Sequence, residues 1–328
     1  MPLITRRIDR IAYYARNFWR DASPQILFRA RLNSILKSCD RHDREYLSRR
    51  INYCNKLVIG SGAVGGDATI ARISMKNSFY YYDLKEHARY FPRSLRLSYQ
   101  FGDVVNVPPC ATIVKSRPVA GDNENSVLMK LDKLRHFYFW PDPTPFRDKR
   151  PVAVWRGDIK LNRKRRALVR RWHGRPGFDI GHAGGRGAEG QPGLESPFLL
   201  PVEQAAFKYI VSVEGNDVAS NLKWVMATNS LCLMPPPAYE TWFMEGKLEP
   251  GKHYARLRPD FADLEDKISH YERHPDEALA IIENAQAYVR QFQDEKRERL
   301  ISLLVLYKYF TATGQIQPDG RLAELFAV

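Results

Sequence analysis

The chain has 328 residues, 44% of them hydrophobic and 27% charged, which is the make-up of a globular protein of about two ordinary domains and excludes a disordered or fibrous one. Its formal net charge of +14 is concentrated: residues 1–60 carry 13 Lys/Arg against 5 Asp/Glu, and residues 146–175 carry 12 against 2. Two basic patches imply an anionic partner, whether nucleic acid, phospholipid headgroups or a phosphorylated glycan.

The first twenty residues read as a basic helix with Ile4, Ile8, Ile11, Ala15 and Phe18 on one face. Such a helix either lies on an anionic membrane surface or docks on its own domain. Arginines interrupt it too often for a secretory leader, so the expected location is cytoplasmic. The longest apolar run, residues 300–307, is far short of the roughly 20 residues that span a membrane. Cys39, Cys54, Cys110 and Cys232 stand apart with no CxxC pair, as reduced thiols do. HExxH, HxH and Asp-x-Asp spacings are all absent, and no metal or resident cofactor is expected.

Gly60-Ser61-Gly62-Ala63-Val64-Gly65 has the formal GxGxxG spacing after Leu57-Val58-Ile59. A dinucleotide fingerprint needs a helix directly afterwards. Residues 69–74 are instead β-branched and alternating, and residues 78–82 look strand-like. The expectation is a hairpin with turn glycines before it. From Leu95 the chain alternates toward a turn at Phe101-Gly102-Asp103, and residues 112–115 form a second extended segment ending at Ser116-Arg117-Pro118. Pro-rich residues 140–145 read as a linker, which sets the expected domains at 1–148 and 149–328.

The second half opens with a strand at 152–155, the turn Arg156-Gly157-Asp158, and a basic helix from about Asn162 to Trp172 that includes Arg163. Residues 177–193 are glycine-rich and polar, as a surface loop is. Residues 208–213 read as a strand, 214–217 as a loop, 218–227 as a helix and 230–234 as a second strand. The last third is helical, with Pro275 at a first-turn position.

A strand, a Gly-containing loop and a helix N-terminus present backbone N–H groups and the positive end of a helix dipole, which hold a diphosphate without a metal. Gly215, Asn216, Asp217, Val218, Ala219, Ser220, Asn221 and Lys223 fit that description, although helix capping by Asn216 or Asp217 would leave the same trace. Arg156, at a strand's end, suits bidentate contact with phosphate. Ser116 and Arg117 end another strand. Asp103, an acid at a strand's carboxyl end, is the first candidate for a general base and Asp83 the second.

The segment KYIVSVEGNDVASNLKWVMATNSLCLM, followed by YETWF, KHYARL, DLEDKI and DEALAIIENAQAYV, resembles the capsule-associated-protein domain of glycosyltransferase family 90. Upstream, YYYDLKEHARYFP, FGDVVNVP, IVKSRPV and VAVWRGD are similar to its bacterial, lipopolysaccharide A protein type. The resemblance implies an α/β protein of GT-B architecture, two Rossmann-like domains facing a central cleft, with a helical C-terminus. It also implies an inverting, metal-independent transferase that moves sugar from a nucleotide-sugar, a UDP-sugar above all, to a lipid-linked glycan beside an anionic membrane surface. The nucleotide-sugar is then a co-substrate, and no nucleic acid partner is expected. By position, the base role falls on Asp103, and the donor-binding roles on the Arg156-Gly157 turn and the 216–221 loop. Relatives carry an arginine where this chain has Asn221, so Lys223, Arg117 or Arg156 would take over that contact. The alternatives are a non-catalytic, basic nucleic-acid-binding protein and a catalytically silent sugar-nucleotide binder.

Overall fold

The computed structural model describes residues 3–60, 62–66, 68–160, 162–184, 193–317 and 319–326. The chain divides into two units. An amino-terminal unit is built from Asp9–Leu134, Ala238–Glu245 and the chain from Phe292 onward, and a second from the residues before Asp9, Arg135–Pro237 and Gly246–Gln291. The carboxy-terminal helices, expected with the 149–328 half, thus group with the amino-terminal unit.

That unit opens with α1 (Leu3–Ala22), α2 (Gln25–Lys37), α3 (Arg44–Cys54) and α4 (Ser78–Ala88). The Asp43 carboxylate caps α3 by accepting from the amides of Glu45 at 2.9 Å and Tyr46 at 3.2 Å. Leu47, Ile51 and Cys54 then fall on one buried face at helical spacing. Next come β1 (Tyr99–Gln100), β2 (Thr112–Val114), β3 (Ser116–Pro118) and β4 (Ser126–Leu128), and the single turn α5 (Lys133–His136). β1, β2 and β4 form a parallel sheet in that order.

In the second unit, β5 (Arg150–Gly157), α6 (Arg163–Trp172), β6 (Phe178–His182), α7 (Pro201–Gln204), β7 (Phe207–Val211), α8 (Leu222–Val225) and β8 (Leu231–Met234) alternate strand and helix. β9 (Tyr239–Thr241) returns to the amino-terminal unit and pairs antiparallel with β3. β10 (Ala255–Arg256), α9 (Leu264–Arg273) and α10 (Pro275–Arg290) complete the second unit. Its five strands are all parallel, in the order β10-β8-β7-β5-β6. Trp155, Ile180, Tyr209 and Leu233 of the strands are buried with Leu168 of α6 and Ile281 of α10 in one core.

α11 (Glu295–Ala312) and α12 (Gly320–Phe326) end the chain. α11 is apolar nearly all round because it is buried nearly all round, against α2, α3 and α4. Its Glu298 accepts from Arg50 at 3.0 Å, Lys130 at 3.1 Å and the Trp242 indole at 2.6 Å, so the one buried carboxylate ties α3, the 130 segment and the 242 segment to α11. No described helix is long and apolar enough to cross a membrane.

Several expectations are corrected. Residues 70–72 form a 3-10 turn and Ser78–Ala88 a helix, so there is no hairpin there. The tyrosines that suggested a strand serve as helix core instead: Tyr81 and Tyr82 are buried beside Leu84 and Ala88, and packing overrides their strand preference. The glycines of residues 60–65 belong to a loop whose Gly60 and Gly62 amides both donate to the Ala312 carbonyl at 3.1 Å; Ser61 lies outside the described residues. Within the expected 177–193 loop, Phe178–His182 is a strand paired with β5, and residues 185–192 lie outside the described residues. The helix expected over 218–227 is the single turn of α8. The Pro-rich 140–145 segment is fastened to its own unit, with the Trp140 ring against Trp224 and the Asp142 carboxylate accepting from Lys149 at 2.7 Å and the Asn229 amide at 2.8 Å.

Candidate active site

In the amino-terminal unit, chemistry gathers where parallel strands end. Gly102 follows β1 with φ of 118°, a conformation that suits glycine and lets the chain turn sharply. The turn delivers Asp103, whose carboxylate is ion-paired with the Lys115 ammonium at the end of β2. Lys115 is 1% exposed and Asp103 22%, so a buried cation grips an acid that still reaches solvent. The Ser116 hydroxyl donates to the Val104 carbonyl at 3.1 Å and steadies the segment that carries Asp103. Tyr80, Phe101 and Tyr99 stack nearby, with ring centroids 5.4 and 4.5 Å apart in turn.

Arg117 takes no part in that opening. It is fully buried and donates to Glu240 at 2.8 Å, the Ser126 carbonyl at 3.0 Å and the Tyr53 carbonyl at 2.7 Å. It therefore joins β3, β4, β9 and α3. Asp83 is also internal. It accepts from the Tyr13 hydroxyl at 2.7 Å and the Lys133 amide at 2.9 Å. Burial pushes its pKa up to about 6 against the opposing pull of Lys133.

The second unit has its own focus. β6 lies on one side of β5, whereas β7, β8 and β10 lie on the other, so the connection reverses direction between β5 and β7. In an open parallel sheet a ligand sits at the carboxyl ends of the strands at such a reversal. The loops leaving β5 and β7 meet there: the Asn162 side-chain amide donates to the Gly215 carbonyl at 2.6 Å. The oxygen of the same side chain caps α6 by accepting from the Arg165 amide at 2.9 Å, which aims the positive end of that helix at the junction. The Arg165 guanidinium donates to the carbonyls of Glu214 at 3.1 Å and Val213 at 3.2 Å, and Lys164 pairs with Glu214 at 2.8 Å. A side chain at position 215 would put its Cβ 2.8 Å from Arg165 Nη2, so glycine there permits the close approach.

The expected donor residues divide by placement. At the junction Asp158, Arg163 and Asn216 are exposed, whereas Gly157, Gly215 and Ser220 are half-buried. Asp217, Val218, Ala219 and Lys223 are buried, with the Lys223 ammonium over the Phe137 ring. Asn221 is turned inward: its oxygen accepts from the Ser212 hydroxyl and its amide donates to the Val211 carbonyl, both at 3.0 Å. Arg156 folds back along the sheet to Asp179 at 2.5 Å and the Pro197 carbonyl at 2.8 Å. Lys115, Asn162 and Arg165 were not among the expected residues. Lys115 sits one position beyond a strand, as Asp103 does three beyond its own, and Asn162 with Arg165 has the spacing of a helix cap and third residue. No cluster of three His, Cys, Asp or Glu arranged to hold a metal lies among the described residues.

Comparison with known proteins agrees with the sequence resemblance. Residues 140–309 match glycosyl transferase family 90. The chain is 51% identical over 236 residues to "O-glucosyltransferase LpsA" of Dichelobacter nodosus, covering 72% of this chain and 73% of that protein. It is 32% identical over 104 residues to human "Protein O-glucosyltransferase 3", covering 31% of this chain and 20% of that protein. The family match spans the 157–223 junction, and the bacterial transferase is matched over 73% of its own length, which favours the transferase over a non-catalytic nucleic-acid binder. The chain belongs to glycosyl transferase family 90 and is a glycosyltransferase.

Proposed function

We propose that the chain is an inverting transferase that moves a hexose, glucose by analogy with the names of its relatives, from a UDP-sugar to a lipid-linked glycan of the lipopolysaccharide type. The observation that carries this reading is the pairing of Asp103 with buried Lys115 at the carboxyl edge of one parallel sheet. The β5–β7 reversal at the carboxyl edge of the other supplies a place for the leaving group.

In this mechanism the Asp103 carboxylate accepts the proton of the attacking acceptor hydroxyl. The acceptor oxygen bonds to the anomeric carbon from the face opposite the diphosphate. The bond from that carbon to the diphosphate oxygen breaks, and the anomeric configuration inverts. Charge grows on the departing diphosphate, where the amides of residues 215–220, the N-terminus of α6 and the Arg163 and Arg165 guanidiniums stabilise it in place of a metal. Arg156 and Arg117 act as positioning residues: one fixes the turn after β5, the other the strand after Lys115. A GT-B arrangement, which would bring the two carboxyl edges to one cleft, belongs to this proposal. So do a cytoplasmic location and work at the inner face of the cytoplasmic membrane.

The test is transfer from UDP-glucose to a deacylated lipopolysaccharide core, with and without chelator, the product's anomeric configuration being read by NMR. Inverted product formed at an unchanged rate in chelator supports the reading. Retained configuration, or dependence on a divalent ion, contradicts it.

A further inference from the structure

From Arg10 onward, the described side chains of α1 hold it to the amino-terminal unit through one face. The Tyr13 hydroxyl donates to Asp83 at 2.7 Å, Tyr14 meets the Ser78 hydroxyl at 3.1 Å, and Arg20 pairs with Glu86 at 2.8 Å. The two tyrosine rings lie against Phe79 and Tyr82 of α4. A polar and aromatic face thus does the docking. The apolar stripe, at positions 11, 15, 18, 19 and 22 with helical spacing, is turned to solvent: Ile11 is 68% exposed, Phe18 60% and Trp19 71%. α2 repeats the arrangement. Phe28 is tucked against the Tyr90 ring, while Ile26 and Leu27 stand 71% and 58% exposed.

A globular domain ordinarily turns such a stripe inward, and a contiguous exposed apolar face marks an interaction surface. Among the described side chains the unengaged charge around it is positive. Arg16, Arg29 and Arg31 are exposed on the same two helices. The nearby carboxylates are committed elsewhere: Asp21 accepts from the Tyr81 hydroxyl at 2.6 Å and pairs with Arg89, Asp40 pairs with Arg44, and Asp43 caps α3.

We infer that this face docks on an anionic lipid surface. Phe18, Trp19, Ile11 and Ile26 enter the boundary between headgroups and acyl chains, and the three arginines meet lipid phosphates. A second copy of the chain is the poorer occupant, because a two-fold contact through the same patch would bring like charges together. The inference deepens the proposed function by specifying how the enzyme reaches a lipid-linked acceptor. It is tested without assaying transfer, so either reading can fail alone.

The experiment is co-sedimentation of the full chain with phosphatidylcholine vesicles and with vesicles that also contain phosphatidylglycerol. The wild type is compared with Phe18→Ser/Trp19→Ser and with Arg16→Gln/Arg29→Gln/Arg31→Gln. All five positions are exposed, and circular dichroism and melting verify the fold. Expected is strong sedimentation with the anionic vesicles only, a loss of about tenfold or more in partition for the Ser variant, and loss of the anionic preference in the Gln variant. Binding to anionic vesicles by a chain with no transferase activity would support this inference while removing the reading it rests on. Failure of the wild type to bind, or unchanged binding by the Ser variant, overturns it. So does a wild-type dimer in light scattering that the Ser substitutions dissolve while vesicle binding is absent.

Discussion

The ammonium of Lys115 ends on the carboxylate of Asp103, one residue almost wholly inside the protein and the other partly in water. The pairing fixes the direction of the carboxylate, which a base for a sugar hydroxyl needs. Replacing Lys115 with Met keeps the length and removes the charge. The expected result is a fall in kcat of roughly ten- to a hundredfold, as when a group that orients a reactive ligand is lost, with the affinity for donor nearly unchanged. Steady-state kinetics beside calorimetric titration with UDP measure the two effects separately, and Lys115→Arg should recover part of the rate. A purely structural lysine would lower the melting temperature and leave kcat of the folded fraction intact.

Gly215 tests the other focus. An alanine there must displace the Arg165 guanidinium, whose Nη2 would lie 2.8 Å from the new Cβ and which two loop carbonyls hold in place. Gly215→Ala should weaken UDP binding about tenfold, roughly 1.4 kcal/mol, measured by titration calorimetry. The melting temperature should fall little, because what must move is the end of one long side chain, not the core of the sheet.

Stability should depend on pH through α4. Burial, with help from Lys133, Arg299 and Arg20 and against Glu86, pushes the His87 pKa down to about 3. The unfolded chain protonates that ring near about 6.5, so between those values it binds more protons than the folded one. Stability is therefore lost as pH falls from about 6.5 toward 3, at no more than about 1.4 kcal/mol per pH unit for this one group. Asp83 works the other way. With its pKa up at about 6, it makes the folded state relatively more stable as pH falls from 6 toward its ordinary value near 4. Chemical denaturation at several pH values should show the wild type losing stability relative to His87→Leu over the same range. Parallel curves would contradict the assignment.

What could be read beforehand follows from which physics is local. The Gly102-Asp103 turn, the strands β5, β7 and β8 and the loop at Gly215 announce themselves through apolar runs broken by glycine, and each stands where expected. Ser78–Ala88 does not, because three tyrosines look alike in a strand and in a helix until Asp21, Tyr13 and Lys133 arrive from distant sequence to satisfy one face. β6 is hidden because its apolar residues Phe178 and Ile180 are set among Gly177, Asp179 and Gly181. The partners of Arg117 and Arg156 were out of reach for the same reason: an arginine at a strand's end reads alike whether it faces a phosphate or folds back on Glu240 or Asp179. The family motifs contain both Asp103 and Lys115 but not their partnership, since pairing across parallel strands depends on register, which no single segment encodes.

The most direct measurement compares Asp103→Asn with the wild type in two assays on the same preparation: UDP-glucose binding by calorimetry and single-turnover transfer to acceptor. Donor affinity is expected to stay within about twofold and the transfer rate to fall by roughly 10²- to 10⁴-fold, the range for loss of a general base. Transfer at an undiminished rate, with the fold and donor binding intact, would contradict that role.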